Sequence, residues 1–416
     1  MKRTILLTFL LALLAGSAFA ANSPAVAFTF ACNGKATGFC PDGAGANFLL
    51  QASDGNFYGT APYSGDKAGG FTLFGGTIFS ITPTGKFALL HTFLPGPNNN
   101  FPNGTDPISL TEGPDGKLYG LTLDGGNGFN SSDNFLGYGV VFRISKNGSA
   151  FQVIHKFCSV GVYCSDGNYP TGPLVVGSDG NLYGVTYEGG AGVGCAAGGC
   201  GTIFRVTPSS GAYEVIFSFG SSSGGGFPSG LIAASDGTFY GLSSGGLYHY
   251  TPTTGTLQLT ALPFGISSQC PGLACFATTV YALGPNGNFY GFYTVYASTA
   301  TGLYEVQLDG GDFQFLPPLS SGIGNELLLG SDGNFWFSQN AGNGGNGDIV
   351  SISPEATVLQ TLTPFGKSAP VGTSPSWLIQ STNGTLWGTT MGGGTVSKGR
   401  GSGTVYSLDL GLPPAR

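Results

Sequence analysis

One seven-residue motif returns seven times along this chain, and that recurrence limits the possible folds more than any other feature. The copies read SDGNFYG (53–59), PDGKLYG (114–120), SDGNLYG (178–184), SDGTFYG (235–241), PNGNFYG (285–291), SDGNFWF (331–337) and TNGTLWG (382–388). Their Asp or Asn residues stand at 54, 115, 179, 236, 286, 332 and 383, so successive copies lie 46–64 residues apart. A second motif follows each first one. It reads GTIFSITPTG (76–85), GVVFRISKNG (139–148), GTIFRVTPSSG (201–211), GLYHYTPTTG (246–255), GLYEVQLDG (302–310), GDIVSISPEA (347–356) and GTVYSLDLG (403–411). A period of this length marks an array of supersecondary units that bury their faces against one another.

Each unit reads as four strands, A to D. Asp-Gly or Asn-Gly between two apolar runs signals a two-residue hairpin turn, because those residues accept positive φ. In unit three the strands fall at 174–177, 182–186, 202–207 and 213–219. Leu182 and Tyr183 are adjacent and both apolar. Strand neighbours point to opposite faces, so such a strand is covered on both sides. A four-stranded sheet covered on both faces by copies of itself is a propeller blade. Unit seven lacks a strand D, and residues 25–30 (AVAFTF) align with ALLHTF (88–93) and EVIFSF (214–219). The expected fold is therefore an all-β, seven-bladed β-propeller of four-stranded antiparallel blades. An N-terminal strand pairing with 404–408 completes the last blade and removes the open sheet edge. One domain over 21–412 and a tail at 413–416 follow.

Composition agrees. Gly numbers 75 and Pro 25 of 416 residues, while charged residues are 8% and aromatics 13%. Few charges and many aromatics exclude a disordered chain, and Gly without a period of three excludes collagen. Residues 1–20 read as a secretory signal peptide: Lys2 and Arg3, an apolar run from Ile5 to Leu14, then Ala18-Phe19-Ala20 before the cut. The run is too short to span a bilayer, and no later segment is long and apolar enough. Removing it takes the formal charge from −7 to −9, since residues 1–20 hold two bases and no acid. That disfavours nucleic acid as a partner. A secreted or periplasmic monomer is expected. The eight cysteines fall in close pairs, Cys32/Cys40, Cys158/Cys164, Cys195/Cys200 and Cys270/Cys275, which suits disulfides in an exported protein.

An A-B-C-D meander puts the short A–B and C–D turns at one end and the long B–C and D–A loops at the other. All eight cysteines lie in the long loops, and loops on a rigid scaffold are where function concentrates. Tyr63, Asp66, Asp124, Tyr163, Tyr187 and Glu188 are the candidate ligand-binding residues of that face. Aromatics with scattered acids suit carbohydrate or a protein at the cell surface. No cofactor is expected. The loop DGGNGFNSSD (124–133) offers oxygen ligands of the kind Ca²⁺ takes, without regular acidic spacing. His91 and His155 share one place in strand D and read as packing, and His249 reads as a strand-surface residue. No catalytic residue is assigned, and no metal ligand. The repeated Asp54, Asp115, Asp179, Asp236 and Asp332 read as turn formers.

The pattern over 178–219, SDGNLYG-V-TYEGG through GTIFRVTPSSG to VIFSF, resembles the tandem GloVer repeat of exported bacterial proteins. The likeness runs through seven copies over nearly all of residues 21–416, and units one to three match best. It carries over no functional residue. Residues 331–356 are similar to blades of streptogramin-lyase-type propellers, seven-bladed enzymes with a catalytic His and acidic metal-binding neighbours. No His of this chain lies in a long loop, so that activity does not transfer. The expected role is an exported, non-catalytic binding module. The alternatives are a lyase or glycan-cleaving propeller with its site on the long-loop face, and a structural envelope protein.

Overall fold

The repeated motif builds one turn, reused in blade after blade. In blade one the Gly55 N–H donates to the Ala52 carbonyl and the Ala52 N–H to the Asn56 carbonyl, both at 2.9 Å. Gly55 takes the left-handed conformation (φ +80°), while Asp54 does not. This is a type I turn closed by a left-handed glycine, not the two-residue turn expected from Asp-Gly. The aspartate is selected for its carboxylate. Asp54 Oδ1 accepts the Asn56 N–H at 3.1 Å and Oδ2 accepts the Tyr58 hydroxyl at 2.8 Å. Asp115 with Tyr119 (3.0 Å) and Asp179 with Tyr183 (2.8 Å) repeat the pairing, and Trp336 Nε1 donates to Asp332 at 3.3 Å. The aspartates are turn formers, as the sequence suggested.

The computed structural model describes residues 23–32, 40–63, 75–97, 100–128, 136–160, 164–192, 194, 199–220, 225–262, 275–295, 301–319, 326–340, 342–395 and 400–415. They form seven four-stranded antiparallel sheets, each ordered A-B-C-D outward. Blade one uses Phe48–Gln51, Phe57–Ala61, Thr77–Ile81 and Phe87–Thr92. In blade three, strand A runs Asn168–Val176, starting six residues before the expected 174–177. A register shift between Thr171 and Val175 carries it past Pro173, which has no N–H for the ladder. The A strands of neighbouring blades meet around the central axis. The one helical element among the described residues is the turn Gly342–Gly345.

The last residue of each motif explains how a blade is filled. Gly59, Gly120, Gly184, Gly241, Gly291 and Gly388 of strand B lie directly opposite Phe79, Phe142, Phe204, Tyr248, Tyr304 and Tyr406 of strand C. Each ring crosses strand B over the glycine, where a Cβ would collide with the ring tip. Blade six inverts the pair, with Phe337 on strand B opposite Val350 on strand C. One large side chain and one small one fill each position, whichever strand supplies the bulk.

The core lies between blades rather than within one. Seven hydrophobic clusters occupy the seven seams, each drawing on two adjacent blades. A Phe of strand D points edge-on at the strand C ring of the next blade: Phe93 to Phe142 and Phe157 to Phe204 at 5.5 Å, Phe219 to Tyr248 at 5.2 Å. The N-terminal strand Ala25–Cys32 pairs antiparallel with Arg400–Leu408, in the register Ala25 to Ser407 and Thr29 to Thr404. It makes the same contacts as the other D strands. Phe30 meets Phe79 at 5.2 Å, and Phe28 stacks on Phe87 at 3.8 Å as His91 does on Phe151 at 3.7 Å. The ring thus closes where residues 25–30 were expected to close it.

Disulfides join Cys32 to Cys40 and Cys158 to Cys164, and Cys200 is disulfide-bonded. Cys195 and Cys270 lie outside the described residues, as does the side chain of Cys275. No helix among the described residues is long and apolar enough to cross a membrane.

Candidate functional site

Four of the six candidate residues can be placed. Tyr63 and Tyr187 are each 43% exposed. The Tyr63 carbonyl accepts the Ala44 N–H at 2.6 Å, tying blade one's B–C loop to the entry of its strand A. Tyr187 ends strand B of blade three (Leu182–Glu188) beside Phe227, with ring centres 5.0 Å apart. Glu188 follows and accepts from Asn168 Nδ2 at 3.3 Å. Asp124 closes strand B of blade two (Leu118–Asp124), and burial pushes its carboxyl up to about 6. Asp106 is raised to about 6 by burial and by the charge of Asp124. Burial raises the Tyr169 phenol, and the charges of Asp124 and Glu188 raise it further. The structure therefore groups Asp124 and Glu188 around Tyr169, with Asp106 beside Asp124. Asp66 and Tyr163 lie outside the described residues, as do residues 129–135 of the 124–133 loop. Among the described residues no three His, Cys, Asp or Glu gather as a metal site would need.

The histidines serve packing. His91 lies flat on Phe151, and burial pulls its imidazole down to about 4. His249 is half-buried, stacked on Tyr240 at 4.4 Å. His155 stacks on Tyr213 at 3.6 Å, and its Nε2 lies 3.0 Å from Asp166 Oδ2. That oxygen also accepts the Ser159 N–H (2.9 Å) and hydroxyl (2.5 Å). Burial acts to raise Asp166, but the bonds from His155 and Ser159 outweigh it and hold the carboxyl near 2. The aspartate stands between serine and histidine, so the serine has no base and the trio anchors the Cys158–Cys164 loop.

The structure adds a concave feature that none of the six candidate residues except Tyr187 touches. A pocket of about 520 Å³ sits on the axis, walled by residues in or just before the A strands of blades three to seven and edged by Tyr187. Leu231, Tyr281, Leu327, Trp377 and Ile379 make it apolar, and Glu326 is the one acid among the described residues of its wall. Glu326 is 8% exposed. Its Oε1 accepts the Ser338 N–H at 2.9 Å, and its Oε2 pairs with the Ser338 hydroxyl at 3.1 Å. Burial drives the carboxyl up to about 8, against the pull of the Ser338 bonds. A signal for it was present. Counting back from each turn motif, Glu326 occupies the place held by Phe48, Ser109, Pro173, Gly230, Val280 and Trp377 in the other units. An acid stands alone in a column of apolar and small residues.

These features define a seven-bladed β-propeller with an apolar axial pocket reaching its long-loop face. The chain belongs to the Gloeobacter/Verrucomicrobia repeat family, whose model matches residues 15–254, more than half of the chain. Among solved structures it is similar to virginiamycin B lyase from Staphylococcus aureus, at 14% identity and TM-score 0.54, covering 88% of this chain and 95% of that one. It is also similar to an oligogalacturonate lyase in complex with manganese, at 12% identity and TM-score 0.47, covering 89% and 97%. At such identities the likeness is one of fold alone. No curated protein matches the chain.

Proposed function

We propose that this protein is an exported binding module whose ligand seats in the axial pocket from the long-loop face. The observation that carries this reading is the pocket itself: about 520 Å³, apolar, with Tyr187, Trp377 and one buried carboxyl among the described residues of its wall. A preformed apolar cavity with few polar groups is the usual form of a small-ligand site. Aromatic walls suit the apolar face of a sugar, so a carbohydrate is the ligand class to screen first. Export is supported by residues 1–20 and by disulfides, which persist in oxidising compartments.

The test is a screen of oligosaccharides and polysaccharides against residues 21–416, with Ca²⁺ and with EDTA, reading bound protein and released fragments together. Saturable binding without fragments is expected. Tyr187→Ala should weaken it about tenfold, roughly 1.4 kcal/mol, with an unchanged melting temperature because the side chain is exposed. Binding indifferent to Tyr187 would move the site off the axis. The raised pair Asp106 and Asp124 supports one second reading, a glycan-cleaving enzyme using them as acid and base. Released fragments, lost on Asp124→Asn, would establish it.

A further inference from the structure

Glu326 is costly where it stands. A carboxyl in an apolar cavity is tolerated when it is neutral or when a counter-charge joins it. Ser338 presents its N–H to one carboxylate oxygen and its hydroxyl to the other. This two-donor grip along one edge suits the ionised form and leaves the remaining lone pairs free. Among the described residues, the groups that line the pocket with it supply no cation. Tyr281 reaches in from strand A of blade five and Trp377 from strand A of blade seven. Tyr406 comes from strand C of blade seven, near enough for the Glu326 charge to raise its phenol. Burial raises both phenols far above neutrality, so they stay uncharged. No Lys, Arg or His is among the described residues lining the pocket. Among its described residues the cavity holds an acid, two donors bonded to it and aromatic walls, and no positive partner.

We propose that the axial pocket binds an organic ammonium ion, its charge against Glu326 and its apolar body against Tyr187 and Trp377. This deepens the axial-pocket reading and rests on it. A metal ion is the weaker occupant, since one carboxylate among aliphatic walls offers too few oxygen ligands. An ammonium group is satisfied by one carboxylate together with ring faces. A protonated sugar amine or another amine would present the same chemistry. When the cation enters, the Glu326 carboxyl gives its proton to solvent and becomes the counter-ion. With the free carboxyl titrating near 8, affinity for a permanently charged ligand should rise about tenfold from pH 6 to 7, about fivefold from 7 to 8, and level off above 9.

The probes are benzyltrimethylammonium, whose charge does not titrate, and neopentylbenzene, its uncharged carbon isostere. Calorimetry on residues 21–416 from pH 6 to 9 should show the cation binding at least tenfold tighter than the isostere at pH 9, with proton release near pH 7. Glu326→Gln should abolish both the preference and the pH slope. The wild-type comparison needs no variant, so it stands even if the substitution disturbs folding. Glucosamine oligomers run against their N-acetylated forms then tell whether a sugar carries the amine. Equal, pH-independent binding of both probes, weakened by Tyr187→Ala, would overturn the cation and keep the axial site. Failure of both probes to bind would overturn the cation. Sugar binding indifferent to Tyr187 would remove the axial site as well.

Discussion

The glycine that ends each YG motif is there to admit a ring, not to adopt an unusual backbone. Gly184 lies opposite Phe204, and a methyl group there would meet the Phe204 ring and Leu174. Gly184→Ala should therefore cost about 1–3 kcal/mol by overpacking, read as a lower urea midpoint at unchanged slope. The Phe337–Val350 inversion in blade six shows that the constraint is on the summed volume of a facing pair. The turn aspartates act through a second mechanism. Burial tends to raise Asp179, but bonds from Asn181 and Tyr183 prevail and lower it. A depressed carboxylate contributes stability above its unfolded value, and that contribution is lost as pH falls through the folded value. Asn286 and Asn383 hold the same turn without charge, each accepting the N–H two residues on at 3.1 Å. Asp179→Asn should thus keep the turn, lose the carboxylate's share of stability at pH 7 and be less sensitive to acid, while Asp179→Ala loses the turn bond as well, about 1 kcal/mol more. Unfolding curves at pH 7 and pH 3 separate the two.

At the scale of elements, the N-terminal strand matters more than its eight residues suggest. Phe30 is fully buried in the seam between the last blade and the first, with Phe79, Trp387 and Val405. Phe30→Ala should cost about 3–5 kcal/mol, as for other buried large-to-small changes. Deleting residues 23–32 should cost more, because it also bares the strand Arg400–Leu408 as an open edge. A melting temperature unmoved by that deletion would refute the clasp. The strand's role was legible because AVAFTF matches the other D segments ring for ring: Phe28 stands where His91 and His155 do, and Phe30 where Phe93 and Phe157 do. Strand A of blade three was less legible: 174–177 was expected, and the strand begins at Asn168, before Pro170 and Pro173. The register shift that accommodates Pro173 is a property of the pairing, not of the local sequence.

At the scale of the molecule, closure creates the site. Seven A strands brought to one axis leave a space that no single blade possesses, and Glu326 faces it. The consequence is a pH dependence opposite to that of the turn aspartates. With its folded value near 8 against an ordinary 4.5, Glu326 holds a proton in the native state that the unfolded chain releases. Stability should therefore fall as pH rises from about 4.5 to about 8. Glu326→Gln should remove that fall. The variant is expected to match the wild type near pH 4 and to exceed it at pH 9 by on the order of 4 kcal/mol. Chemical denaturation at the two pH values measures it, and an identical pH slope in both proteins would show that Glu326 is not buried as described.

The sequence by itself determined the blade count, the four strands per blade and the strand that closes the ring. Those features repeat, and a repeat reports its own period. It also determined which aspartates are structural, because the same residue at the same place in most turns must serve the turn. Only the tertiary structure decided which residues share a site. Asp124 and Glu188 meet around Tyr169 from different blades, and Tyr187 parts from its neighbour Glu188 to face the axis. Glu326 differs from its column but has no motif. Its meaning depends on Ser338, which the blade-six hairpin brings to it, and on Tyr406 and Trp377 of the next blade, which are remote in the chain. Local propensity acts along the chain, whereas burial of a charge is set by everything that surrounds it.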